Sequence, residues 1–291
     1  MTLPISFFER HFVNFVKNVN FVNFVNLLFS DLTISERKVW CIGKSLLFLH
    51  RFNSTDEMKV PDYKILSGSA IKMIAILCMT VDHAARTVLQ DCASLYEPLF
   101  RLGHTDVSWQ FIMQCVIGRV AFPLFAFLVV EGYSHTRSVR RYAMTLFIFA
   151  VLSIVPWSMM HGSYFTMCSQ NVLFTLLLGL LSIHAIERLS PLKAAGSVGV
   201  ALLTAWLTHC DYGASGVAFI VLLHLLRHRR LYQGLAVVAT FFTRKTKMCA
   251  TLAIIPMVMY NGKRGFIHGP IGKYLLYAFY PLHLVVLLIL G

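Results

Sequence analysis

From residue 64 onward the chain alternates long apolar runs with short polar connections, and this pattern predicts helices of membrane-spanning length. A spanning helix needs roughly 20 predominantly apolar residues. Runs at 70–89, 109–133, 142–160, 172–187, 192–208, 214–226 and 271–290 reach or approach that length. Two shorter runs, 231–242 and 248–260, each read as a short span, a tilted helix or one arm of a re-entrant hairpin. The expected fold class is an all-α, polytopic transmembrane helical bundle of roughly seven to nine spans.

Residues 1–60 break this pattern. "FVNFVKNVNFVNFVN" is a low-complexity repeat, and "LLFSDLTISERKVWCIGKSLLFLHRFNSTDE" has no helical period over a spanning length. The segment also lacks the compact apolar run and small-residue cleavage site of a secretory signal. It is expected to be an atypical or mis-called extension with a physiological start at Met58, leaving 61–291 as the integral membrane domain.

Composition agrees with the pattern: 57% of residues are hydrophobic, 13% are charged and the mean hydropathy is +0.67. A net charge of +13 would suit a nucleic-acid partner, but the basic residues stand at the ends of apolar runs. The expected partner is therefore the lipid bilayer, with no nucleic acid. Lys64 and Lys72 open the first span, "HTRSVRR" follows the second, Arg188 and Lys193 follow the fourth and "RHRR" follows the sixth. The connections "MHGSYFTMCSQN" and "THCDYGA" carry no Lys or Arg, so the positive-inside rule starts the first span in the cytosol. "TRKTK" and "NGKRG" are both basic and fall on opposite sides if each short run crosses. Of seven cysteines none forms a CxxC pair; Cys92, Cys168 and Cys210 fall on the outer side, where pairing is an open reading.

Charge inside the apolar runs is the candidate chemistry, because an ionisable group at bilayer depth is costly unless it faces protein or water. "MTVDHAART" places Asp82, His83 and Arg86 in the first span. Asp82 and Arg86 are four apart and share a helix face, which fits either a structural ion pair or part of a site. His83 lies about 100° round the helix from Asp82, so a cavity wall can hold both. The second span carries Gly118, Arg119 and Pro123 towards one end and Glu131 and His135 towards the other, and Pro123 predicts a kink or break. Asn171 reads as an outer helix cap or a site residue, Asp211 as a cap or a site residue, and His283 sits well inside the last apolar run. Arg137, Arg140 and Arg141 suit either anionic lipid or a phosphate-bearing ligand. His224 and His228 share a helix face without a third ligand, so no metal is expected; GxGxxG, Walker and GxSxG motifs are absent.

Taken in order, "IKMIAILCMTVDHAART", "GRVAFPLFAFLVVEGYSHTRSVRRYAMTLFIFAVLSIVPW", "NVLFTLLLGLL", "DYGASGV", "YNGKRG" and "YPLHL" resemble the TraX family of conjugative-transfer and fimbrial-assembly membrane proteins. The resemblance runs from about Lys64 to the C-terminus and leaves the first sixty residues uncovered. It implies acetylation of a pilin N-terminal amine in the bacterial inner membrane, with acetyl-CoA as co-substrate, and a distant likeness to multi-span acyltransferases that modify extracytoplasmic sugars. Carried over to this sequence, it points to Asp82, His83, Gly118, Arg119, Pro123, Glu131, His135, Asp211 and His283. The roles expected are His83 as base supported by Asp82, Arg119 at the oxyanion, His283 positioning the acceptor or thioester, and Arg137, Arg140 and Arg141 on the CoA phosphates. An O-acyltransferase of glycans or lipids, a proton-coupled transporter and a pilus-assembly scaffold remain the alternatives.

Overall fold

The computed structural model describes residues 64–102, 105–162, 170–241, 245–267 and 269–291, and Asp62–Gly291 forms one compact unit. The expected extension, 1–60, and Cys168 lie outside the described residues. Cys92 and Cys210 are free thiols.

Helix α1, Gly68–Arg86, starts where Ser67 Oγ accepts a hydrogen bond from the Ala70 amide at 3.3 Å, capping an otherwise orphan donor. Ile71, Ala75, Met79 and His83 recur every four residues and are all buried. His83 therefore continues the core-facing stripe, and the helix cannot bury that stripe without burying the imidazole. A 3₁₀ turn at Ala93–Leu95 leads to an antiparallel hairpin of β1, Pro98–Leu102, and β2, Thr105–Ser108, which the hydrophobic pattern does not predict.

The second apolar run is one helical stretch, Trp109–His135, but its geometry changes along the way. Ile112–Ile117 is π-helical, Gly118–Val120 is 3₁₀, and regular α2 begins only at Ala121 and runs to His135. The break expected at Pro123 lies upstream of it. Proline cannot donate to the carbonyl four residues earlier and its ring clashes there, so the irregular ladder includes Arg119 and Pro123 sits in the first turn of α2, where no donor is needed.

The same physics divides the third run, expected to be continuous over 142–160. It forms α3, Val139–Leu152, and α4, Ile154–Met160, bent by 45° at Ser153. Pro156 stands four residues after Leu152, the last residue of α3, and Ser153 Oγ donates to the Phe149 carbonyl at 2.6 Å.

Helices α5, Val172–Arg188, α6, Pro191–Leu207, and α7, Gly213–Leu225, come next with short connections. Leu180 and Ile183 of α5, Ile220 and Leu223 of α7, and Leu124 and Phe127 of α2 fill the common core. Helix α8, Arg230–Phe241, then pairs with a return arm of 3₁₀ geometry, Lys245–Ala253, ending in α9, Ile254–Val258. Arg230, at the start of this hairpin, and Tyr260, just beyond its end, both lie against Phe127, whereas Phe241 packs against Phe122 and Phe219. The two short runs are thus antiparallel arms whose ends meet at one end of the bundle. Helix α10, Gly269–Leu290, closes the fold and runs through Pro281.

Among the described residues, Gly68–Arg86, Trp109–His135 and Ile271–Leu290 are long and apolar enough to cross a membrane, and the bent α3–α4 pair makes up to four. Pro191–Leu207, Gly213–Leu225 and Met248–Val258 are shorter apolar helices. Large apolar side chains cover the outer faces, including Leu192, Val200, Trp206, Ile271, Leu275 and Ile289. Water would penalise such a surface and lipid does not, so the chain is a helical membrane protein.

Candidate active site

One end of the bundle carries Arg137, Arg188 and the Arg227–Arg230 stretch and is called the basic end; the site lies towards the opposite end. Two partners organise it: Gly118 faces Asp82, and His283 faces His83.

At Gly118 a Cβ would fall 2.5 Å from Asp82 Oδ1 and 2.6 Å from its Cβ, so only glycine admits the carboxylate at this depth. Asp82 accepts from Arg86 Nε at 3.1 Å and Nη2 at 3.2 Å, a two-point pair with side chains 16% and 34% exposed. Arg119 follows in the 3₁₀ turn, beside Tyr212 and within electrostatic reach of Asp82. Its Nε is enclosed and has no hydrogen-bond partner among the described residues.

His83 and His283, 200 residues apart, meet with His83 Nδ1 2.8 Å from His283 Nε2. The proton positions are set by the third member, because His283 Nδ1 lies 2.9 Å from the Phe279 carbonyl. A carbonyl only accepts, so Nδ1 of His283 carries the proton and its Nε2 presents a lone pair. Nδ1 of His83 must then donate, which leaves Nε2 of His83 unprotonated. That nitrogen has no hydrogen-bond partner among the described residues, in a residue that is 7% exposed.

Aromatic rings wall this pair. Trp157 and Tyr280 stand edge-on to His83 at centroid distances of 6.1 and 6.4 Å, and Phe279 stacks on His283 at 5.1 Å. Trp157 is buried, and its indole Nε1 donor is enclosed without a partner among the described residues. Trp157, Tyr280 and Tyr212 are not among the residues expected from the sequence. Their signal is a polar-tipped aromatic beside the prolines of "VPW" and "YPLH" and in the turn of "DYG", which apolar periodicity does not flag.

Asp211 lies within reach of Tyr212 and Tyr280, and its backbone carbonyl accepts from Thr175 Oγ1. Burial, helped by the Asp211 charge, pushes the Tyr212 phenol above its ordinary pKa, so it stays a neutral hydroxyl. Asn171 is fully buried but spent: Oδ1 caps α5 at the Leu173 amide, 3.1 Å away, and Nδ2 donates to the Ala150 carbonyl at 2.9 Å.

The remaining expected residues stand at the basic end. Glu131 pairs with Arg230 at 2.9 Å, and the Arg230 guanidinium lies over the rings of Phe127 and Tyr260 at 4.9 and 5.4 Å. Arg230 also donates to Gln233 Oε1 at 2.8 Å, and buried Gln233 donates to the Leu223 carbonyl at 2.9 Å. His135 Nδ1 bonds the Glu131 carbonyl at 2.8 Å, while Arg137, Arg140 and Arg141 are at least partly exposed. His224 pairs with Glu187 at 2.9 Å, not with His228. Among the described residues no three His, Cys, Asp or Glu side chains gather as metal ligands.

These features define a helical membrane protein with a buried histidine pair, an adjacent Asp–Arg cluster and one imidazole nitrogen left free. The sequence matches the TraX protein family over residues 67–291, and the chain belongs to that family. It is also 30% identical over 249 residues to a "Probable fimbrial assembly protein FimC" of Dichelobacter nodosus, an overlap covering 76% of this chain and 94% of that protein. No solved structure matches the chain.

Proposed function

We infer that this protein is a multi-pass inner-membrane acyltransferase that moves an acetyl group from acetyl-CoA to the N-terminal amine of a pilin-type subunit. The observation that carries this reading is the free Nε2 of His83, fixed in that state by the hydrogen-bond chain through His283 to Phe279. Membership of the TraX family and the likeness to a fimbrial assembly protein supply the acceptor class.

In this reading the first span starts in the cytosol and seven to nine crossings in all place the histidine pair in the outer half. The acceptor amine gives its proton to His83 Nε2 as it attacks the thioester carbonyl, forming the C–N bond. The imidazolium keeps its Nδ1 proton on His283, so the charge appears where an acceptor already waits. Arg119 Nε and Trp157 Nε1, donors without partners among the described residues, suit the oxyanion that develops. Collapse breaks the C–S bond, and the CoA sulfur leaves with the proton. Asp82, held by Arg86, orients Arg119 electrostatically rather than supporting His83 directly. Arg137, Arg140 and Arg141 face the cytosolic side as contacts for the CoA phosphates.

The test is release of free CoA from acetyl-CoA by purified protein in lipid, with pilin and with candidate glycans, alongside mass spectrometry of the pilin N-terminus. Acetyl transfer that requires pilin and is lost in His83→Ala supports the reading. Transfer to a glycan alone would reassign the protein as an O-acyltransferase, and turnover retained by folded His83→Ala would remove the base.

A further inference from the structure

The basic end holds a second cluster, of which the proposed chemistry uses only Arg141. The loop 261–267, "NGKRGFI", wraps the first turn of α1: the Gly68 amide donates to the Lys263 carbonyl at 2.8 Å and the Ser69 amide to the Arg264 carbonyl at 2.9 Å. Ser69 Oγ also donates to the Arg264 carbonyl at 2.8 Å and accepts from the Ile267 amide at 3.0 Å. Gly265 has φ +91°, and Ser67 and Ser69 occupy the space where a side chain would project, so the wrap depends on glycine there. The loop thereby fixes Arg264 beside Lys72, one turn further along α1.

Lys72 lies within electrostatic reach of Arg264 and Lys273, and Lys273 within reach of Arg264 and Arg141. The ammonium of Lys273 is held 5.5 and 6.0 Å from the ring centroids of Tyr274 and Tyr277, so it is not a freely waving surface lysine. Four cations from α1, α3, the 261–267 loop and α10 thus converge. Among the described residues none of them has an ion-pair partner: the ion pairs formed are those of Arg86, Arg101, His224, Arg227 and Arg230. Topology alone asks only for basic residues spread along the cytosolic face. It does not ask for four to be folded together, two of them partly buried, with no ion-pairing carboxylate among the described residues.

We propose that Lys72, Arg141, Arg264 and Lys273 form a binding site for clustered phosphate oxygens, the chemistry shared by a nucleotide pyrophosphate and an anionic lipid headgroup. The backbone amides of the first α1 turn are already taken by Ser67 and the loop carbonyls, so the four side chains do the binding. The site shares Arg141 with the acyl-transfer reading, which offers one phosphate-bearing ligand, but it rests on the convergence of the four cations and not on that reading.

Binding of inorganic pyrophosphate to the full chain in phosphatidylcholine nanodiscs, followed by titration calorimetry, tests the soluble source. Selective retention of phosphatidylglycerol over phosphatidylcholine tests the headgroup. Loss of one charge-assisted contact should weaken binding by about 10-fold in each of Lys72→Gln and Lys273→Gln, with Arg264→Gln as an exposed variant that spares folding. Lys193→Gln, basic but outside the cluster, should bind as wild type does. Either source, lost in the cluster variants, supports the site. Binding of neither, or binding that survives in a folded Lys72→Gln/Arg264→Gln/Lys273→Gln triple variant, overturns it whatever the outcome of the CoA assay.

Discussion

The two ends of the bundle differ in how much of their buried polarity is paired. At the basic end Glu131, Arg230 and Gln233 hand their hydrogen bonds on to one another and finally to the Leu223 carbonyl, and Glu187 closes on His224 and Arg227, leaving one enclosed nitrogen, His224 Nδ1, without a partner among the described residues. At the opposite end Arg119 Nε and Trp157 Nε1 are enclosed donors, and His83 Nε2 an acceptor, without partners among the described residues. A closed network stabilises a fold, whereas an open valence in a dry interior costs about 1–3 kcal/mol and is kept only where something else offsets it. The difference is one of degree: a single enclosed nitrogen stays open at the basic end, and several open groups gather at the other.

The largest effect expected is on the open nitrogen itself. His83→Ala should lower acceptor-dependent CoA release by roughly 10²–10⁴-fold while the protein stays folded and in the membrane. Steady-state release measured per folded molecule decides it, and turnover near wild type would place the chemistry elsewhere. His283 acts through His83, so its removal should cost less. His283→Phe keeps a ring but no acceptor, freeing the His83 tautomer, and should reduce turnover by roughly 10–100-fold. His283→Gln restores a carbonyl acceptor and should recover part of that loss with an altered pH profile, a rescue that a packing role would not produce.

Gly118→Ala comes next. The added methyl meets the Asp82 side chain well inside contact distance, and Asp82 is backed by its two-point pair with Arg86. Overpacking of this kind typically costs about 1–3 kcal/mol, visible as a lower melting temperature in detergent. Because Arg119 is the next residue, the same change should also lower turnover. Normal stability together with normal turnover would mean that the close approach of the 3₁₀ turn to α1 has no functional weight.

How much of this is legible in the sequence depends on the range of the interaction. The Asp82–Arg86 pair and the Asn171 cap depend on spacings of four and two residues, and both are readable. The apolar runs at 172–187 and 192–208 match α5 and α6 to within about two residues because each is bounded by a cap or a proline. The breaks at Pro123 and Pro156 are displaced towards the N-terminus, since proline disrupts the carbonyl four residues before it. Neither the pairing of His83 with His283 nor the convergence of Arg264 and Lys273 on Lys72 is written in any local pattern. Both arise only when α10 and the 261–267 loop return to α1. Support of His83 by Asp82 is the natural expectation for neighbours in the chain, but the Asp82 oxygens are taken by Arg86, and the imidazole finds its partner on α10.

The smallest effect on activity should come from Glu131→Gln, and it separates an enzyme from a proton relay. A relay running through Asp82, Glu131 and His283 needs a carboxyl group that binds and releases a proton, and the amide would stop it. In the structure Glu131 is bound to Arg230, which is itself held over two rings, and no hydrogen bond among the described residues joins that pair to the histidines. Glutamine retains an acceptor for Arg230 while losing the charge, so stability should fall by about 1–3 kcal/mol, discounted towards the lower figure because Arg230 is 34% exposed. CoA release per folded molecule should stay within about twofold of wild type, a change of under about 0.5 kcal/mol in barrier. Collapse of turnover without loss of stability would join the two ends of the bundle functionally and erase the distinction between closed and open networks.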